Sequence, residues 1–254
     1  MKLSLLSFQL GKGMELDKLL QVVSDNGIEG VEFRAELDHK HGVELDTTPQ
    51  QRAEIKRKCE GAGVAVCCIA TGCKFQSMDE TERQENVDRG KQFIDLAHDT
   101  GAPRIRVFGD RFEKNDKDTV VQNVGACLRQ LGEHAEDSGV DVCLEMHGDF
   151  YKWEYPLKAV QLADHPRIGI VHNCDPREAQ DGPIQNSIDQ VKEHIRHIHI
   201  HDIESGKYPY KEFFGIMKSL GYDGYLSLEC RESPDAERVI GLCAALFREM
   251  VASA

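Results

Sequence analysis

The stretch IRHIHIHDIESGKYPYKEFFGIMKSLGYDGYLSLE, residues 195–229, sets two short apolar-rich runs on either side of an amphipathic segment. From Ile195 to His201 apolar and polar residues alternate, the period of a β-strand. YKEFFGIMKSLG (210–221) spaces its apolar residues as a helix does and ends on Gly221, the residue that most readily adopts a helix-terminating conformation. GYLSLE (224–229) reads as a second strand. Two strands separated by a helix of this length predict a parallel pair joined by a crossover.

The same cycle recurs along the whole chain. Strand candidates are KLSLLSF, GVEFR, VAVCCIA, RIRVFG, DVCLEM, IGIVHN, IRHIHIH and GYLSLE, starting near residues 2, 30, 64, 104, 141, 168, 195 and 224. Between them lie amphipathic stretches such as ELDKLLQVVSDNG, TPQQRAEIKRKCEGAG and TVVQNVGACLRQLGEHAEDSG, and DAERVIGLCAALFREMV closes the chain. Strict alternation implies a parallel sheet, and eight units in 254 residues predict a (β/α)8 TIM barrel, one α/β domain over residues 1–254. The competing architecture is a doubly wound open sheet. Against it, the only Gly pair after the first strand, GKG at 11–13, lacks the G-x-G-x-x-G phosphate fingerprint.

Composition narrows the partners. Asp and Glu number 44 against 31 Lys and Arg, a net charge of −13, with no basic stripe for a phosphate backbone. Nucleic acid and anionic membrane are therefore not expected as partners. The nine cysteines are odd in number, and Cys67, Cys68 and Cys143 sit inside apolar runs without zinc-type spacing, as reduced buried thiols do. MKLSLLSFQL reads as a first strand rather than a leader, and no run approaches the roughly 18 apolar residues of a membrane helix. The expectation is a soluble cytoplasmic protein, with a homo-oligomer left open.

Parity along the strands sorts the polar residues, because alternate side chains face the barrel interior and the surrounding helices. Ile198 and Ile200 must meet helices, which turns His197, His199 and His201 inward. Val142, Leu144 and Met146 share the outer face of strand five, leaving Glu145 and His147 inside. Leu226 and Leu228 do the same for Ser227 and Glu229. In strand six Asn173 and Asp175 oppose the parity of Ile168, Ile170 and His172. Cys174 and Cys230 point away from the interior. An unpaired interior carboxylate is costly. Two glutamates, an imidazole and an amide oxygen converging there would suit one divalent ion, Mn²⁺, Mg²⁺, Co²⁺ or Zn²⁺. The competing reading pairs Glu145 and Glu229 with interior arginines such as Arg34 or Arg106 and leaves His199 as a core histidine.

GIEGVEFR, IRVFG, LEMH, HIHIHD and GYDGYLSLE together resemble the xylose isomerase-like TIM barrel family, over nearly the whole chain. HIHIHD and GYDGYLSLE carry most of that resemblance. In its sugar and sugar-phosphate isomerase and epimerase branch, one metal is held by Glu, Asp, His and Glu on strands five to eight. Carried over, these positions are Glu145, Asn173, His199 and Glu229. Asn173 departs from the family's carboxylate, so the ligand set carries two negative charges and neutralises M²⁺ with less affinity; Asp175 is a candidate substitute. IESGKYPYKEFF, after Asp202, also lacks the Gly-x-Gly turn common there.

The resemblance implies a small carbohydrate substrate and proton transfer through an enediolate, with Glu145 and Glu229 as paired acid and base. His147, His201 and Arg231 are candidate substrate-binding residues. Phe150, Tyr151 and Trp153 are candidates to cover a ligand or staple their loop, and Lys74 and Phe75 are candidate lid residues. A metal-dependent dehydratase of a cyclic polyol or sugar acid shares the same frame, and a non-catalytic sugar-binding barrel is the third reading. The endonuclease IV branch is disfavoured by the net charge and by missing ligands.

Overall fold

The computed structural model describes residues 1–254. Eight parallel strands close into a barrel in chain order: β1 (Lys2–Leu6), β2 (Gly30–Arg34), β3 (Ala65–Lys74), β4 (Arg104–Phe108), β5 (Asp141–Glu145), β6 (Ile168–Asn173), β7 (Ile195–His201) and β8 (Tyr225–Glu229). β8 pairs with β1 and leaves no free edge. Around them run α1 (Leu16–Asp25), α2 (Pro49–Gly61), α3 (Glu80–Thr100), α4 (Lys117–Ala135), α5 (Glu154–Ala163), α6 (Pro176–Asp181), α7 (Ile184–Val191), α8 (Tyr210–Ser219) and α9 (Ala236–Ser253). The (β/α)8 barrel expected from the alternation is the fold.

Local chemistry fixes the helix ends. Thr48 and Gln51 form a reciprocal capping box at α2, with Pro49 in its first turn. Asp79 caps α3, which stops at Gly101 with φ of +81°. Outward-facing Val142, Leu144, Ile198, Ile200, Leu226 and Leu228 are all fully buried beneath the helices. Burial of this kind stabilises by about 1.5–3 kcal/mol per side chain. It also pins register, because a one-residue slip would send every polar group to the wrong face.

Two segments depart from the expected boundaries. β3 runs on past Ala70 to Lys74, and its pairing with β4 shifts between those two residues. Thr71 Oγ1 donates to the Arg106 carbonyl there, taking up a group the irregular ladder leaves free. Phe75 is fully buried, so it is core and not lid. Likewise Phe150 is fully buried and packs against Phe112 at 5.2 Å between ring centroids. The site's βα loops are held close to the barrel by Gly109 and Gly148. A Cβ on Gly109 would lie 2.7 Å from the Phe150 ring, and one on Gly148, at φ +64°, would lie 2.6 Å from the Asp110 carbonyl oxygen.

Candidate active site

The strand register brings the inward polar residues of β5 to β8 to one level at the C-terminal end of the barrel. His199 lies opposite Asn173 on one side and Ser227 on the other, and His201 lies opposite Glu229. His199 Nδ1 is 3.3 Å from Glu145 Oε1 and 3.4 Å from Glu229 Oε2. His199 is fully buried, the Glu145 side chain is 3% exposed and that of Glu229 24%. Asn173 joins the group through Nδ2, which donates to Glu145 Oε1 at 2.7 Å. Its Oδ1 accepts from His201 Nε2, so a cation drawing on that oxygen competes with the His201 ring.

Beneath this level a third acid takes part. Glu32 on β2 is fully buried and accepts from His199 Nε2 at 3.0 Å and from His197 Nε2 at 2.8 Å. His197 Nε2 also lies 2.9 Å from Ser227 Oγ, which contacts Ser4 Oγ at 2.8 Å. Burial alone would push the Glu32 carboxyl up, but the two imidazoles hold it well below the usual carboxylate range. An ionised carboxylate only accepts, so both rings donate from Nε2. That leaves His199 Nδ1 facing two carboxylates, buried and without a hydrogen-bond partner. Three electron-rich atoms in such proximity require a positive centre, either a proton on Nδ1 or a cation. Burial opposes charge on His199, yet Glu32 and Glu145 reverse that and set its pKa well above the ordinary histidine value. The atoms of Glu145, His199 and Glu229 lie within 4.8 Å of one another and form a donor set suited to a divalent ion.

The pairing of interior glutamates with arginines holds for one of the two acids. Arg106 Nε lies 3.0 Å from Glu145 Oε2, and Arg106 Nη1 donates to the Thr71 carbonyl at 2.7 Å. Arg34 turns aside to the Ala35 and Ala70 carbonyls and to Glu36, and does not reach either glutamate. Glu229 has imidazole neighbours instead, His199 and, at 3.9 Å, His201 Nδ1.

A cleft of about 360 Å³ opens above this group, and His147, Asn173, Asp175, His201, Glu229 and Arg231 are among its lining residues. Its size falls within the range of small-ligand sites. His147 and His201 stand at its edge, half-buried. Asp175 is committed to Arg177, whose Nη2 donates to it at 2.6 Å, and it caps α6. Arg231 is 78% exposed and paired with Asp202 at 3.1 Å, on the outer rim. Cys174 is fully buried on the outer side, and Cys230 faces Cys243 at 3.8 Å between sulfurs.

A sequence profile described as xylose isomerase-like TIM barrel matches residues 20–249. The chain belongs to that family. A fructoselysine 3-epimerase from Shigella flexneri is 27% identical over 168 residues, covering 59% of this chain and 60% of the relative. The chain thus spans about three-fifths of that curated relative's length. Among solved structures, an IOLI protein with a bound zinc atom superposes with a TM-score of 0.84 at 17% identity, over 99% of this chain and 98% of the other. The probable 3-DHS dehydratase AsbF from Bacillus anthracis, involved in petrobactin synthesis, gives 0.78 at 16% identity, over 98% and 99%. These structures share the barrel.

In this xylose isomerase-like barrel, Glu145, Asn173, His199 and Glu229 gather at one point, His147 and His201 border it, and Arg231 lines the cleft from its outer rim. Glu32 was missed in the sequence, although its signal was there. It sits between Val31 and Phe33, both fully buried on the outer face, so the parity that selected Glu145 selects Glu32 as well. Asp110 was also missed, because it lies beyond β4 in a loop where parity has no meaning. It joins Lys74 Nζ at 2.7 Å to His147 Nδ1 at 3.5 Å, and its φ is +58°. Those partners, His147 foremost, bring its pKa down to about 2. Lys74 is thus a partner of the site's edge rather than a free lid residue.

Proposed function

We propose that this chain is a divalent-metal-dependent isomerase or epimerase of a small sugar or sugar phosphate. One observation carries the reading: Glu145 and Glu229 flank a buried, unpartnered His199 Nδ1 whose other nitrogen is already engaged by Glu32. The epimerase relative and the zinc in a similar barrel support it. Glu145, His199 and Glu229 would hold the ion, with Asn173 Oδ1 as a fourth donor. A bound divalent ion supplies Lewis acidity that polarises a hydroxycarbonyl group.

The rest of the chemistry belongs to the side chains. One glutamate, ionised, takes the proton from the carbon beside the carbonyl, and the C–H electron pair moves into a new C=C bond as charge passes to oxygen. The other glutamate, also ionised in the resting site, would relay a proton from a substrate hydroxyl to the opposite face for an epimer, the first glutamate then restoring that hydroxyl; for an isomer the first glutamate would return its own proton to the neighbouring carbon. Arg106 keeps one oxygen of Glu145 occupied, which orients the other toward His199. His147 and His201, which line the cleft, would bind sugar hydroxyls.

The test is to strip the protein of metal, add Mn²⁺ or Co²⁺, and screen ketoses, inositol ketones and their phosphates for deuterium uptake from D2O. Metal-dependent exchange without loss of water is expected. An elimination product would move the chain to the dehydratase reading, and absence of divalent-ion binding would remove the enzymatic one.

A further inference from the structure

Glu32 is the one buried acid of the barrel interior that the proposed proton transfer does not use. Both of its oxygens lie within 3.1 Å of His199 Nε2, and Oε2 lies 2.8 Å from His197 Nε2. We infer that Glu32 is a positioning residue that fixes His199 as the Nε2–H tautomer, presents Nδ1 as the metal-binding nitrogen, and completes the charge balance of the site. This rests on the proposed holding of a divalent ion by Glu145, His199 and Glu229.

The tautomer follows from donor counting. A neutral imidazole has one N–H, and a carboxylate that only accepts must be given it. Were the proton on Nδ1 instead, Nε2 would turn a lone pair on Glu32 at 3.0 Å in a site without solvent. A carboxylate behind a metal-binding imidazole also raises the basicity of the binding nitrogen.

Charge leads to the same residue. With Asn173 in place of a carboxylate, the proposed ligands bring two negative charges, and Arg106 cancels one of them at 3.0 Å from Glu145. Glu145 and Glu229 with Arg106 alone would leave a divalent ion one charge in excess. Adding Glu32, fully buried and accepting from two imidazoles, brings three carboxylates and one guanidinium against M²⁺, and the sum is zero. Buried charge of one sign is costly unless offset nearby.

Glu32, His197 and His199 also present atoms close enough to hold an ion themselves. Their separations of 2.8–3.1 Å are those of N–H donors on a carboxylate, and an ion there would require both Nε2 atoms to give up their protons. The two arrangements place different nitrogens of His199 on the metal, which makes them separable.

The experiment uses the full chain with 15N-labelled histidine, loaded with Zn²⁺, as wild type, Glu32→Gln and Glu32→Ala. Long-range 1H–15N spectra report which His199 nitrogen carries a proton and which binds zinc. Competition with a chromophoric chelator gives the zinc affinity, and circular dichroism establishes folding. In the wild type Nδ1 is expected on zinc and Nε2 protonated. Glu32→Gln loses charge but keeps an acceptor, so Nδ1 stays on zinc with affinity reduced about tenfold, while Glu32→Ala loses both and falls toward a hundredfold. Zinc on Nε2 of the wild type, or wild-type affinity in a folded Glu32→Gln, would overturn the role of Glu32 alone. No zinc on the wild type would overturn it together with the metal reading. The wild-type spectrum and Glu32→Gln decide the matter if Glu32→Ala fails to fold.

Discussion

Two histidines of one strand, His197 and His199, occupy successive inward positions of the barrel and share the same carboxylate, yet their surroundings differ. His197 lies in a layer with Ser4, Ser227 and Glu32, and its Nδ1 meets no carboxylate. Burial pushes its pKa down. His199, one step nearer the mouth, has Glu145 and Glu229 within 3.4 Å of Nδ1, and its pKa goes up. The lower layer is a hydrogen-bonded core, and the upper layer gathers two carboxylates on one imidazole nitrogen. Identity of residue and burial are equal in the two. What separates them is the acid count on the second nitrogen.

The largest effect expected from this contrast is on chemistry. Glu145→Gln or Glu229→Gln should lower substrate deuterium exchange by about 10²–10⁴-fold, the usual contribution of a positioned acid or base. His197→Gln, measured alongside, should retain metal stoichiometry and lose mainly stability, by about 1–3 kcal/mol for disturbing a buried hydrogen bond. A comparable loss of exchange in both layers would erase the distinction between them.

Asn173→Asp sharpens the upper layer. A carboxylate there would stand where Nδ2 now donates to Glu145 at 2.7 Å, so the metal-free variant should be less stable than the wild type. With metal the sign reverses, and affinity should rise by about tenfold, roughly 1.4 kcal/mol. Thermal unfolding with and without Mn²⁺ reads both halves. Unchanged affinity would show that position 173 is not a ligand.

The smallest effect lies at the rim. Asp110 is held at about 2 by His147 and Lys74, below its ordinary value, so its stabilisation is present above that ordinary value and is lost as pH falls through the folded one. Asp110→Asn should cost about 1 kcal/mol at pH 7, because its partners are half-exposed. The difference from wild type should shrink as urea unfolding is repeated from pH 4 toward pH 2.

Most of the architecture was readable because barrel strands impose a strict period of two beneath helices with a strict apolar face. The starts of β1, β2, β4, β5, β6 and β7 fall at the residues read from sequence, and those of β3 and β8 one residue later. The end of β3 was not readable, because the register shift near Ala70 is a property of its pairing with β4 and leaves no local signature. Parity also sufficed to gather Glu145, Asn173, His199 and Glu229, since inward direction is a backbone property. It could not reveal that Arg106 rather than Arg34 approaches Glu145, nor that Asn173 turns its amine toward that acid. Those are choices of side-chain rotamer and cross-strand distance, made in three dimensions. Glu32 is the opposite case: the period of two carried the signal, between buried Val31 and Phe33, but its partners His197 and His199 lie on a strand far away in the chain.

The proposed function requires a divalent ion between His199 Nδ1, Glu145 and Glu229. The most direct measurement is anomalous scattering at the cobalt edge from crystals of the chain grown with Co²⁺. One strong peak is expected at coordination distance from His199 Nδ1 and from an oxygen of each glutamate. No peak there, or a peak on the Nε2 side between Glu32 and His197, would contradict it.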